Sequence, residues 1–441
     1  MSRIVITHGY SDSNKGDLAI VIATINIVKR LLPDAKVTLQ SVYSEDDPQF
    51  NHHTRFTRSQ GVRVEEGILP SPYIDNEPHG MLRNLKAAIR LIKNILYIYL
   101  FNIFSSPLFS SYAGQFNALE SLKYADLVIV KGGQFIYNDQ GGLRGFLYLW
   151  RILKSISLPA KLGKTVILLG HSIGPIRGAY ALRMVRKTLS RCKAIVVREE
   201  ITANLMRDIG LTEKVFLAPD IAFLIEPEEP TERNDIKSML DNDNWLGVTV
   251  TNWSFNDSKK PDQKRREYIE VMIRVLTEVY KRWKLKIIFF PQVSVKSHGE
   301  SDLDLIELLL NNLKENGVDA EYADGDLSPS KLCYLYGRCR VLLGTRLHSC
   351  ILAACAGTPV VAIRYQGHKT EGVMANLGLQ EFVHDINSLD ERSILNSIEK
   401  AYSTRDVLSE TIKRRVDYCR SDLEIVLHKL IIKGERGKSY N

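Results

Sequence analysis

The chain has 441 residues, 44% of them hydrophobic and 25% charged, with a net charge of +8. That length supports two domains with separate cores, and the composition excludes a disordered, collagen-like or disulfide-stapled protein. The modest positive charge favours an anionic ligand or an anionic membrane face and is no nucleic-acid signature, so no nucleic-acid partner is expected. The six cysteines include no Cys-x-x-Cys pair. Free thiols in a reducing compartment and a cytoplasmic location are expected. Arg3 to Thr7 reads as a core strand rather than part of a signal peptide.

In chain order, Ile4 to Ile6 is a strand, followed by a polar loop from His8 to Asp17, a helix over about Leu18 to Leu31, and a strand at Val37 to Leu39. This βαβ opening carries Gly16-Asp17 in its loop but no Gly-x-Gly-x-x-Gly, so a dinucleotide fingerprint is absent. The loop either faces a ligand crevice or is a plain polar turn. His52-His53 lacks further ligands at useful spacing and reads as loop, and no metal site is expected.

Met81 to Phe104 puts Leu82, Leu85, Ile89, Ile92 and Leu96 on one helical face, with Arg83, Lys86, Arg90 and Lys93 on the adjacent flank. No charged residue occurs from Asn94 to Leu119, but Ser105, Ser106 and Pro107 interrupt the run. It ends short of the roughly 20 apolar residues that a spanning helix needs. The segment over about 80–118 is either an insertion lying on a membrane surface or a core-packed helix with its connector.

Four later strands end in small or charged residues, a repetition that turn chemistry alone does not explain. Ala125 to Val130 leads to Lys131-Gly132-Gly133-Gln134, and Thr165 to Leu169 leads to Gly170-His171-Ser172-Ile173-Gly174-Pro175. Ala194 to Val197 leads to Arg198, and Val215 to Leu217 leads to Ala218-Pro219-Asp220. Residues 226–244 are polar and read as a linker. Strands then recur at Leu246 to Thr251, Leu285 to Phe290, Val318 to Glu321, Val341 to Leu343 and Pro359 to Ile363. Between the last two, Gly344-Thr345-Arg346-Leu347-His348 opens a helix of small residues closed by Gly357. The final strand leads to Arg364, Tyr365, Gly367, His368 and Lys369. Cations at strand carboxyl ends and helix N-termini suit a small, doubly charged acid.

The expected fold is α/β and GT-B-like, with two Rossmann-like domains, 1–225 and 245–386, facing a central cleft. The linker is 226–244, and C-terminal helices in 387–441 are expected to pack across the junction. No oligomeric state follows from the sequence.

In this order, Gly16-Asp17, Gly132-Gly133, Ser172-Ile173-Gly174-Pro175, Arg198, Pro219-Asp220, Pro291-Gln292, Arg346-Leu347-His348, Gly357-Thr358-Pro359, Tyr365 and Lys369 resemble the polysaccharide pyruvyl transferase family. Gln134 departs from an expected third glycine. The resemblance implies a GT-B-like fold and no cofactor or metal, with phosphoenolpyruvate as donor. It implies transfer of the pyruvyl group onto two hydroxyls of one sugar, giving a cyclic ketal and phosphate. Arg198, Arg346 and His348 are then expected to hold the donor, together with Leu347 of the same turn.

Residue chemistry agrees, because guanidinium forks grip carboxylate and phosphate bidentately. His348, protonated, would help phosphate leave, and Lys369 would add charge there. Asp220 is the candidate acid or base at the acceptor, or else a cap. Asp17, Gly132, Gly133 and His171 are expected on the acceptor side, in domain 1–225, with the donor on 245–386. His171 is alternatively a strand-end residue bonded to backbone. The acceptor would be a surface polysaccharide or its lipid-linked precursor, met in the cytoplasm or at the inner face of the cytoplasmic membrane. Two other readings stand beside this one. A nucleotide-sugar glycosyltransferase of the same architecture would need a carboxylate for the donor ribose, and a non-catalytic scaffold would need no gathered cations.

Overall fold

A computed structural model describes the chain apart from residues 76, 79, 105–112, 139–141, 231–239, 241–243, 256, 257, 296–300, 366–368 and 436–441, with 100–104, 113–115 and 433–435 described by backbone alone. It contains two compact units. Unit 1 comprises Met1–Asp12, Ile20–Ile221 and Asp422–Asn441, and unit 2 comprises Ser13–Ala19 and Ala222–Ser421.

Unit 1 holds strands β1 (Arg3–Gly9), β2 (Lys36–Ser41), β3 (Arg63–Glu66), β4 (Leu127–Val130), β5 (Gly133–Ile136), β6 (Thr165–Ile173), β7 (Ala194–Val197) and β8 (Val215–Leu217). They pair in parallel in the order β3-β2-β1-β4-β6-β7-β8, with β5 beside the end of β6. The strands Leu127–Val130 and Ala194–Val197 are wholly apolar and buried along their length, as parallel strands covered on both faces must be. Leu149, Ile152, Leu153 and Ile156 of the Gly142–Lys161 helix join the core that contains Val130, Val166 and Leu168. Strand order reverses between β1 and β4, which marks the crevice at their carboxyl ends. Gly132 is required there by its neighbours. A Cβ would stand 2.5 Å from the Leu169 carbonyl oxygen and 2.9 Å from that of Gly170.

Unit 2 repeats the plan with β9 (Trp245–Thr249), β10 (Lys286–Phe289), β11 (Ala320–Tyr322), β12 (Val341–Gly344), β13 (Val360–Arg364) and β14 (Val383–Asp385). Its parallel order is β11-β10-β9-β12-β13-β14, so the reversal falls between β9 and β12. Residues 13–19 are stitched into this unit. Asn14 bridges Val293, the Lys15 N–H donates to the Gln292 carbonyl at 2.9 Å, and the Ser294 N–H donates to the Ser13 carbonyl at 3.1 Å. Lys15 also pairs with Asp326.

Several expectations are corrected by the structure or fall outside the described residues. Strands β3 and β14 are absent from the sequence reading, and Gly133 opens β5 instead of ending a turn. His52 and His53 close a short helix, Phe50–His53, rather than lying in a loop. The interruption at 105–107, nearly all of 231–243, Gly367, His368 and the chain end fall outside the described residues. The Arg405–Glu435 helix is shared by the two units, divided at Ser421 and Asp422. No described helix is long and apolar enough to cross a membrane.

Candidate active site

In unit 2 the turn after β12 makes Arg346 the N-cap of the Leu347–Cys355 helix. Gly344 leaves no space for a side chain, since a Cβ would lie 2.6 Å from Cys350 Sγ. The Thr345 N–H donates to the Thr249 carbonyl at 3.0 Å, and Ser349 Oγ lies 2.7 Å from Thr249 Oγ1, which fastens the turn to β9.

So anchored, Arg346 extends its guanidinium to Asp302, with Nη2 donating to Oδ1 at 2.6 Å. Asp302 is fully buried, and its Oδ2 accepts the N–H groups of Gln292 at 3.2 Å and Val293 at 3.0 Å. Arg346 keeps 17% of its side chain exposed. Its guanidinium lies 5.8 Å from the Tyr365 ring centroid, Lys369 Nζ is 5.7 Å from the same ring, and Trp253 meets that ring edge-on at 5.1 Å. Burial works against the charge of Arg346, but the Asp302 carboxylate and Tyr365 outweigh it and hold the guanidinium above its ordinary range.

His348, half-buried in the first turn, backs onto Gly16. A Cβ on Gly16 would stand 2.3 Å from Nδ1 of the imidazole. Gly16 is thus a packing requirement of His348. Leu347 is buried, so its backbone N–H at the helix start is what it can offer a ligand. Gln292 Nε2 donates to the Tyr336 hydroxyl at 2.7 Å, while the buried Gln292 Oε1 has no partner among the described residues.

In unit 1, Arg198 follows β7 and is taken up internally. Its Nε donates to Ser172 Oγ at 2.9 Å and its Nη1 to Asp220 Oδ2 at 2.5 Å. The two side chains of this ion pair are 3% and 1% exposed. His171 is fully buried, with Nε2 at 3.4 Å from the Val130 carbonyl and Nδ1 without a partner among the described residues. Its ring meets Phe135 edge-on at 5.1 Å, and Phe135 stacks on His8 at 5.0 Å. His8 sits at φ 65, and its ring nitrogens reach Thr7 Oγ1 at 2.9 Å and Ser155 Oγ at 2.8 Å. Burial depresses both imidazoles to about 3, with nearby Lys131 and other cations adding to the effect, so both are neutral at pH 7. Lys131 itself is buried, with Nζ 5.9 Å from the Phe135 ring.

The four residues expected on the acceptor side are divided. Gly132, Gly133 and His171 gather at the β4–β6 edge of unit 1, whereas Asp17 belongs to the stitched segment of unit 2. There its N–H donates to Asn14 Oδ1 at 3.2 Å in the first turn of the Lys15–Leu31 helix.

Sequence reasoning missed Asp302 as the partner of Arg346. An Asp at a helix start reads locally as a cap, and nothing nearby reports that its carboxylate reaches another strand. It also missed a buried relay in unit 1. Ser11 Oγ lies 2.7 Å from His53 Nδ1, and His53 Nε2 lies 3.0 Å from Asp75 Oδ2. Asp47 accepts the Asp75 and Gln49 N–H groups at 2.9 and 2.8 Å. The donor atoms of Asp47, His53 and Asp75 lie within 4.8 Å of one another. Both ring nitrogens and both Asp47 oxygens are engaged, which reads as a structural network that ties these loops together rather than a metal centre.

Comparison with known proteins completes the description. The family described as polysaccharide pyruvyl transferase matches residues 14–367. The amylovoran biosynthesis protein AmsJ of Erwinia amylovora is 24% identical over 94% of this chain and 95% of its own. Among solved structures, HepE of Anabaena, in complex with UDP and glucose, superposes with a TM-score of 0.56 at 11% identity over 98% of this chain and 99% of its own. The UDP-GlcNAc 2-epimerase of Neisseria meningitidis gives 0.57 at 11% identity, covering 98% of this chain and all of the epimerase. At such identities the two structures establish a GT-B-like fold and no more.

Proposed function

Since the chain belongs to the polysaccharide pyruvyl transferase family and resembles a protein of polysaccharide biosynthesis, we propose that it transfers the pyruvyl group of phosphoenolpyruvate to a glycan or its lipid-linked precursor in the cytoplasm. In this reaction C3 of the donor gains a proton and the C2–C3 double bond becomes single. Two C2–O bonds form to hydroxyls of one sugar, and the C2–O bond to phosphate breaks. The two hydroxyl protons end on C3 and on phosphate, and no oxidant or reductant is required.

The observation that carries this reading is the partly open cluster of Arg346, Tyr365 and Lys369 backed by Asp302. Arg346 is kept charged and aimed before any ligand arrives, as electrostatic catalysis requires. It and Lys369 bind the acidic groups of the donor. His348, held by Gly16 at a helix N-terminus, supports the phosphate and supplies the proton it leaves with. Asp220 is assigned as the base, with Arg198 as its buried partner. His171, neutral and with Nδ1 unpartnered, accepts a hydrogen bond from the sugar, but at about 3 it is too weak a base to deprotonate it. Gly132 and Gly133 line the acceptor side in this assignment.

The test is incubation of the purified protein with phosphoenolpyruvate and the lipid-linked glycan of its host, followed by mass spectrometry. Gain of one pyruvyl unit with equimolar phosphate is expected. Sugar transfer from a nucleotide sugar, with no phosphate from phosphoenolpyruvate, would overturn the assignment.

A further inference from the structure

The Met81–Phe104 helix is mounted with its apolar face outward. Leu82, Leu85, Ile89, Ile92 and Leu96 follow three- and four-residue spacing, and each is between 46% and 64% exposed. Met81 and Tyr99 extend the same exposed stripe. The opposite side grips the protein, with Leu91, Asn94, Ile95 and Ile98 partly buried beside two arginines. Arg90 donates to both Glu77 carboxylate oxygens, at 3.0 and 2.5 Å, and to the Pro72 carbonyl at 3.1 Å. Arg83 lies 5.3 Å over the Tyr73 ring, and Ala87 and Tyr97 are buried beneath. A helix that serves only a soluble core has its apolar side inward and a polar one outward, whereas this one carries a second apolar stripe on its exposed side.

The stripe follows a helix about 36 Å long at 1.5 Å per residue. Lys86 and Lys93 beside it are exposed; Lys86 reaches Glu77 only at 4.0 Å, since that carboxylate is held closely by Arg90. We propose that this face docks on the surface of an anionic phospholipid bilayer. The leucines and isoleucines enter the acyl boundary, and Lys86 and Lys93 meet acidic headgroups. A second copy of the chain is the poorer occupant. A twofold contact through this face would set lysine flanks of one sign together. The proposal does not depend on the phosphoenolpyruvate reading.

The experiment is flotation of the full chain with vesicles of phosphatidylcholine alone or mixed in equal parts with phosphatidylglycerol. The protein is expected to float with the mixed vesicles and to float less as salt is raised. Lys86→Gln with Lys93→Gln should weaken partitioning roughly thirtyfold. Ile89→Asp with Ile92→Asp should abolish it while melting like the wild type, because both side chains already face water. Wild-type protein that stays at the bottom with mixed vesicles overturns the proposal, as does flotation unaffected by the Ile89 and Ile92 changes. So does a wild-type dimer in sedimentation that those changes make monomeric with flotation unaltered. Phosphate release with a soluble acceptor, measured in parallel, reports the reaction separately from the docking.

Discussion

At the carboxyl edges of their sheets the two units carry the same kind of charge and treat it differently. In unit 1 the guanidinium of Arg198 is 3% exposed and matched by Asp220, among buried His8, Lys131 and His171. In unit 2 Arg346 is also matched by a buried carboxylate, yet it remains 17% exposed beside half-buried Tyr365 and Lys369. A sealed pair fixes geometry and costs heavily to break, whereas a backed but open cation can still receive an anion. The contrast assigns structural cost mainly to unit 1 and ligand affinity mainly to unit 2.

Breaking the sealed pair should have the largest effect. Asp220→Ala strands the buried Arg198 charge and is expected to lower unfolding free energy by about 3–5 kcal/mol in urea titration. Arg198→Met with Asp220→Leu should recover much of that loss, and equal destabilisation by the single and double changes would remove the distinction between the units. In unit 2, Arg346→Ala should reduce phosphate release by about a thousandfold. Gly16→Ala forces His348 aside and should lower turnover roughly a hundredfold with the fold retained, since small misplacements of reacting groups cost that much. A rate like the wild type's would remove His348 from the mechanism.

Taken singly, each buried histidine gives the smallest expected effect. Folded His8 and His171 titrate at about 3 against 6.5 for an unperturbed imidazole. Below 6.5 the unfolded chain takes up protons that the folded chain refuses. Their contribution is therefore complete above 6.5 and declines as pH falls toward 3, by about 2 kcal/mol per imidazole at about pH 5. Urea titrations at neutral and mildly acid pH should show this slope, and His171→Asn should remove about half of it.

The βα alternation was legible because strands buried on both faces are long apolar runs, as in Leu127–Val130 and Val341–Gly344. Strand β3 was not, because its Glu65 and Glu66 are buried against Gln40, Ser121 and Ser44, and these partnerships form only in the fold. Burial pushes both carboxyls up, which no local pattern reveals. The Arg346-Leu347-His348 turn stood out because cations before a helix of small residues serve no packing purpose. Asp302 and Gly16 had no comparable signal, because their significance lies in what reaches them from distant parts of the chain. The apolar stripe at Leu82 to Leu96 was visible as a pattern, but only the Arg90–Glu77 anchor shows which way it faces.

Thermal unfolding in the presence of ligands tests the central claim most directly. Phosphoenolpyruvate should raise the melting temperature of the wild type, by an amount corresponding to about 3 kcal/mol at a hundred times its dissociation constant. Uridine and guanosine nucleotides should not, and Arg346→Ala should abolish the phosphoenolpyruvate shift. Stabilisation by a nucleotide alone, or a phosphoenolpyruvate shift that survives Arg346→Ala, would contradict a donor site built on the open cation of unit 2.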